Sequence, residues 1–189
     1  MVCGFKVFKI MKFIISLLIF SLSIYASQHN KPSEANLHVS AASAKTTILN
    51  TDESGAEYAV GFGISKVTDI NIIGGDLLFA GNIDISYTDI NLYKNGTSDN
   101  NDLSLLLNLK MGLEYSKVRL YLIGASRVSG GDDSFLGFGY GGGLEYRLTE
   151  MFALSAEYIT YTMDSVKNNV VREDVDHDTT SIILKYYFK

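Results

Sequence analysis

From Leu103 to Tyr115 the chain alternates. Leu103, Leu105, Leu107, Leu109, Met111, Leu113 and Tyr115 fall on one face, and Ser104, Leu106, Asn108, Lys110, Gly112 and Glu114 on the other. A helix would scatter those leucines around its axis, whereas a strand puts every second residue on one side. Leu106 is the single apolar intrusion on the polar face. The run is longer than the ~5–6 residues of an ordinary soluble strand and meets the ~9–11 needed to cross a bilayer.

The same period recurs six more times. Toward the C-terminus, Val118, Leu120 and Leu122 oppose Arg119, Tyr121 and Ile123. Phe138, Tyr140, Leu144 and Tyr146 oppose Gly137, Gly139, Gly141, Gly143 and Glu145. Phe152, Leu154, Ala156 and Tyr158 oppose Ala153, Ser155 and Glu157, and Ile182, Leu184, Tyr186 and Phe188 oppose Ser181, Ile183, Lys185 and Tyr187. Upstream, Tyr58, Val60, Phe62 and Ile64 oppose Ala59, Gly61, Gly63 and Ser65, and Phe79, Ile83, Ile85 and Tyr87 oppose Asn82, Asp84, Ser86 and Thr88. An eighth strand is expected between Asn36 and Leu49, where the pattern is loose and the Ala-rich centre is compatible with a helix instead.

Connections alternate in length. Tyr115–Lys117 and Arg147–Glu150 read as short turns, while Asn50–Ala56, Tyr93–Asp102, Ser129–Ser134 and Asp164–Asp178 read as polar loops. Short turns at one end and longer loops at the other mark barrels of the outer membrane. Thr68–Asp76 reads as a connection too long for that rule. The four loops hold eleven acids against three bases, so the acidity gathers on one rim.

The first residues follow a different logic. Lys6, Lys9 and Lys12 precede the apolar run Phe13–Leu22, and small or neutral residues lead to Ala26 and Ser27. This is the order of a secretory signal, with cleavage expected after Ala26 and a start at Met1 or Met11. The apolar stretch, thirteen residues to Tyr25, falls short of the ~20 of a spanning helix. The expected division is residues 1–26 as signal peptide and 27–189 as one domain. The later chain has no apolar run near 18 residues, and in lipid only helices and closed barrels satisfy every backbone group. The expected fold is therefore all-β: an antiparallel up-and-down transmembrane β-barrel of about eight strands.

Composition narrows the chemistry. Cys3, the only cysteine, lies in the leader, which removes disulfides, thiolate catalysis and Cys-ligated zinc from the mature chain. Gly137–Gly142 spells G-x-G-x-x-G, but a strand pattern follows where a dinucleotide site needs a helix. Glycines on that face instead make room for large side chains opposite. Glu173, Asp174, Asp176 and Asp178 around His177 lack the spacing of a calcium loop and read as a solvated acidic segment. His177 and Ser181, four apart, share a face. No cofactor, metal or nucleic acid is expected.

The polar faces collect Asp84, Lys110, Arg119, Glu145, Glu157 and Lys185. An eight-stranded barrel is filled by its own side chains, so three acids and three bases inside it are expected to pair as a structural network.

Gly141-Gly142-Gly143-Leu144-Glu145-Tyr146-Arg147-Leu148-Thr149-Glu150, followed by Phe152 to Tyr161 with Ala156-Glu157-Tyr158, resembles the penultimate hairpin of the OmpA-type and opacity-type small outer-membrane barrels. Ile183–Phe188 resembles their terminal strand, which ends in Phe; here Lys189 follows. The resemblance covers residues 103–188. It implies an outer-membrane location in a Gram-negative bacterium, lipid as the surrounding partner, and recognition of the strand ending at Phe188 by the barrel assembly machinery. The expected role is a non-enzymatic, structural or surface-exposed monomer with a closed lumen. A small porin-like channel and a lipid-A-modifying enzyme are the alternatives.

Overall fold

The computed structural model describes residues 32–48, 51–90, 102–129, 134–167 and 170–188. They form eight strands: β1 (Glu34–Ile48), β2 (Thr51–Ile72), β3 (Gly75–Thr88), β4 (Asp102–Tyr115), β5 (Val118–Ser129), β6 (Ser134–Arg147), β7 (Phe152–Lys167) and β8 (Val170–Phe188). Each pairs antiparallel with the next, and β8 returns to pair with β1, so the sheet closes into a barrel without an edge. No helix occurs among the described residues.

The alternation sets what each wall faces. On β5, Arg119, Tyr121, Ile123, Ala125, Arg127 and Ser129 are buried while Leu120, Leu122 and Val128 stand exposed. On β3, Asn82, Asp84, Ser86 and Thr88 are buried while Ile83, Ile85 and Tyr87 are exposed. Charge lies inside and hydrocarbon outside, the inverse of a soluble barrel and the arrangement a lipid solvent selects. Leu106, the apolar intruder, points inward with its polar neighbours Ser104 and Asn108.

The glycines of β6 fill the role expected of them. A Cβ on Gly137 would lie 2.5 Å from Met163 Cγ, one on Gly139 2.7 Å from Tyr161 Cδ1, and one on Gly143 2.6 Å from Tyr121 Cε2. A Cβ on Gly141 would meet the Tyr158 carbonyl oxygen at 2.0 Å. The run keeps one wall thin so that large residues of β5 and β7 can occupy the lumen.

The eighth strand expected between Asn36 and Leu49 is present, as β1 runs through Ile48. Two sequence expectations are corrected. The segment expected as a loop at Asn50–Ala56 is strand from Thr51 onward, where β2 begins and runs beside β1; Asn50 lies outside the described residues. Asp164–Asp178 is likewise almost entirely strand, since β7 runs to Lys167 and β8 starts at Val170. The physical reason is common to both: above an apolar belt a strand needs no alternating hydrophobicity. Beyond Ala41 on β1, the outward positions become Ser43 and Lys45, and on β8 they are Asp176 and Thr180. The strands β7, β8, β1 and β2 are neighbours and together form the longer part of the wall.

Thr68–Asp76 also proves short. β2 continues to Ile72 past a register shift between Val67 and Asn71, and only Ile73 and Gly74 turn the chain. This connection is therefore as short as the rule asks, while β1–β2 and β7–β8 at the other end, spanning only 49–50 and 168–169, are just as short.

Candidate functional site in the barrel lumen

All six ionisable residues expected inside are buried: Asp84, Lys110, Arg119, Glu145, Glu157 and Lys185. Strand alternation turns each inward, and closure brings five of them together. Lys110 Nζ donates to Glu157 Oε1 at 2.5 Å. Lys185 Nζ donates to Glu145 Oε2 at 2.6 Å and lies 3.9 Å from Glu157 Oε1. Arg119 Nη1 donates to Glu145 Oε1 at 3.2 Å. The hydroxyls of Tyr121 and Tyr187 donate to Glu157 and Glu145 at 2.7 and 2.8 Å. Asn82, oriented with its amide oxygen toward Lys110 Nζ at 3.0 Å, completes the set. Burying such ions is costly unless each has a countercharge and filled hydrogen bonds, and this cluster supplies both.

Asp84 stands apart from the other five. It accepts from His38 Nε2, and its second oxygen accepts from Asn108 Nδ2 at 3.0 Å. Gly61 lies between the two partners on the intervening strand. A Cβ there would fall 1.8 Å from Asp84 Oδ1 and 2.6 Å from His38 Nε2, so the pair needs glycine at that position.

Two further clusters escape a reading of the clearest periodic segments. Toward the turn end, Arg119 also binds Glu114 Oε2 through Nε at 2.5 Å and Glu34 Oε2 through Nη2 at 2.7 Å. Arg147 reaches the same Glu34 oxygen and stacks 4.4 Å from the Tyr187 ring. Toward the loop end, Arg127 Nη1 donates to Glu57 Oε2 at 2.7 Å and to His177 Nε2 at 2.9 Å. A guanidinium can only donate, so His177 accepts through Nε2, and its Nδ1–H is left to donate to Thr46 Oγ1 at 2.8 Å. A sequence signal for these existed. Arg127 keeps the parity of Arg119 along β5, and Glu57 that of Gly61 and Gly63 along β2.

Two small cavities interrupt the packing. One of about 40 Å³ is bordered by His38, Asp84, Asn108, Glu157 and Thr179, among others. The other, about 10 Å³, is bordered by Arg119, Tyr121, Glu145 and Lys185. A water needs roughly 10–15 Å³ of such space and several polar partners. The larger cavity meets that on both counts, and Asn108 Oδ1, buried with no protein partner, borders it.

The chain matches the outer membrane protein beta-barrel domain across residues 14–188. The chain belongs to this family. Among solved structures, Neisserial surface protein A is 18% identical, with 84% of this chain and 100% of that one covered at a TM-score of 0.52. Ail, the attachment invasion locus protein of Yersinia pestis, solved with the heparin analogue sucrose octasulfate, is 12% identical over 84% of this chain and 100% of its own, at a TM-score of 0.47. The outer membrane enzyme PagL is 16% identical over 78% of this chain and 97% of its own, at 0.46. No curated protein sequence matches. At these identities the likeness to the Neisserial protein speaks for the fold alone.

For an outer-membrane barrel the outward belt of Leu, Ile, Val and Tyr is the lipid-facing surface. His177 and Ser181 do share a face, as their spacing requires, but the face is the lumen. His177 is completely buried against Arg127 and Glu57. Asp176 is exposed on the opposite side of β8 from His177; the side chains of Glu173 and Asp174 lie outside the described residues. His38 is buried as well, and His29 lies outside the described residues.

Proposed function

We propose that this is a non-enzymatic outer-membrane barrel that displays its loop end at the surface and keeps its lumen closed with its own ion pairs. The observation that carries the reading is the set of pairs that span the interior. Lys110 on β4 meets Glu157 on β7, and Arg127 on β5 meets Glu57 on β2. Neither pair joins neighbouring strands, so each is a strut across the bore.

The family location supports export by the leader at residues 1–26, insertion by the barrel assembly machinery through the strand ending at Phe188, and lipid as the surrounding partner of a monomer. A lipid-modifying activity finds little support, because both described histidines are turned away from lipid and sealed among charged partners. The second reading is a narrow pore. It is favoured by the two cavities, which lie on either side of the Lys110–Glu157 strut.

Planar-bilayer recording of the purified protein tests the choice. A closed lumen gives no steady conductance. A stable, large, ohmic channel replaces this reading with the pore.

A further inference from the structure

The β2–β3 turn breaks its own sequence rule. Ile73 has φ 53° and Gly74 φ 83°. Two successive left-handed residues make the tight hairpin connection whose first position is normally Asn, Asp or Gly. An isoleucine there is a conformational outlier, because its branched side chain crowds the backbone. Burial does not offset the strain, since Ile73 is 88% exposed. The turn is otherwise well made. Asn71 Oδ1 accepts from Gly74 N at 3.2 Å, and Asn71 Nδ2 donates to Asp76 Oδ1 at 3.4 Å.

Two more isoleucines flank the tip. Ile70 and Ile72 are 42% and 40% exposed. The other well-defined two-residue turn, Ser116–Lys117, is polar. The strand of the isoleucine tip, β2, carries Val60, Phe62 and Ile64 outward, and a buried stretch at Ser65–Thr68 and the exposed Asp69 separate them from the tip. Tyr115, the last residue of β4, donates from its hydroxyl to the Ile73 carbonyl at 3.5 Å. Tyrosines with one apolar and one wet end settle at the membrane interface, and this contact fixes the turn at the level of such a hydroxyl.

We propose that Ile70, Ile72 and Ile73 form a lipid anchor that dips into the headgroup–acyl boundary of the inner leaflet of the outer membrane and pins the turn end of the barrel there. The strained isoleucine is retained because its side chain leaves water for lipid. The proposal extends the family's lipid-facing belt to a turn that would otherwise hang in the periplasm. It is independent of whether the lumen is open or closed.

The chain contains no tryptophan, so Ile73→Trp introduces a unique fluorophore. The mature protein is folded into phosphatidylcholine vesicles in which some lipids carry bromines near the carbonyl end of their acyl chains. Lys117→Trp on the neighbouring turn is the control. The expected result is a blue-shifted indole at position 73, quenched by the brominated lipid several-fold more strongly than the one at 117. Should Ile73→Trp fail to fold, Ile70→Trp is read the same way. Ile73→Asn gives a second readout. It relieves the turn, so it should raise thermal stability in detergent while slowing insertion into vesicles. Emission as red as the control with equal access to acrylamide overturns the anchor, and points to a free tip or a periplasmic partner. Insertion by Ile73→Asn at or above the wild-type rate overturns it equally.

Discussion

Lys110 on β4 and Glu157 on β7 meet across the bore with 2.5 Å between Nζ and Oε1, although three strand pairings separate them around the wall. Lumen contacts of this kind join parts of the chain that the backbone ladder holds apart. Lys185 on β8 to Glu145 on β6, and Arg119 on β5 to Glu34 on β1, do the same. The barrel is therefore braced internally as well as hydrogen-bonded around its circumference.

Arg119 is the most connected of these braces. It binds carboxylates on β1, β4 and β6, the Tyr187 hydroxyl at 3.0 Å and Ser65 Oγ at 3.5 Å. Arg119→Met should lower unfolding free energy by about 3–5 kcal/mol, because it leaves Glu145 and its neighbours without their shared counterion. Arg119→Lys should recover only part of the loss, since an ammonium cannot reproduce the guanidinium fork. Urea titration of the protein folded in vesicles measures both. A loss below 1 kcal/mol for Arg119→Met would mean that Arg147 and Lys185 already neutralise the site.

How much of this was legible in the chain depends on what each face was asked to carry. The lipid-crossing parts of β4 to β8 declare themselves because Leu105 or Tyr158 contrasts sharply with Asn108 or Glu157. β1 is faint because its lumen side carries Ser40, Ala42 and Ala44 opposite Ala41 and Ser43, and small residues on both faces erase the contrast. The upper parts of β2 and β8 are illegible for a different reason, since the outward positions there are polar. Inward direction could be read residue by residue, but partnership could not. Which acid meets which base is fixed by register and closure, as with Asp84, which pairs with His38 rather than with Lys110. The Ile73 turn was illegible because its sequence contradicts the turn it makes.

Face assignment can be tested on adjacent residues. Leu107 points outward and Asn108 is 5% exposed in the lumen beside Asp84. Leu107→Arg should reduce the folded fraction in vesicles by the equivalent of ~2–4 kcal/mol, the penalty for a guanidinium near the bilayer centre. Asn108→Arg should be milder, because Asp84 offers it a countercharge. Equal folded fractions would show the faces to be misassigned.

The thin wall of β6 makes a steric prediction. A methyl at Gly141 would lie 2.0 Å from a backbone oxygen of β7, which cannot swing aside as a side chain can. Gly141→Ala should cost at least ~1–3 kcal/mol, the usual range for overpacking. The lipid-facing Gly124, where a Cβ has nothing within 4 Å, should tolerate alanine. Heat-modifiable migration on gels reports both, and similar behaviour of the two variants would refute the close approach.

The leader prediction stands on mass alone. Purified protein from the membrane fraction should lack residues 1–26, given the Lys-flanked apolar run that ends near Ala26. Intact mass spectrometry reads this directly, and a species retaining Phe13–Leu22 excludes cleavage.

The Lys110–Glu157 strut also carries the closed-lumen reading. Glu157→Gln keeps the shape of the side chain and removes its charge, leaving Lys110 in a buried site with Lys185 nearby and without the carboxylate it binds directly. Two responses are open to the barrel. If the interior stays dry, the uncompensated ammonium should lower stability by about 3–5 kcal/mol. If water enters to solvate it, the loss shrinks and the two cavities on either side of the strut should join, giving a small conductance that the wild type lacks. Measuring unfolding and single-channel current on the same preparation separates the two. A variant as stable as the wild type and equally silent in the bilayer would show that the Lys110–Glu157 pair closes nothing, and that the apolar residues Leu106, Ile159 and Ile183 beside it hold the bore shut.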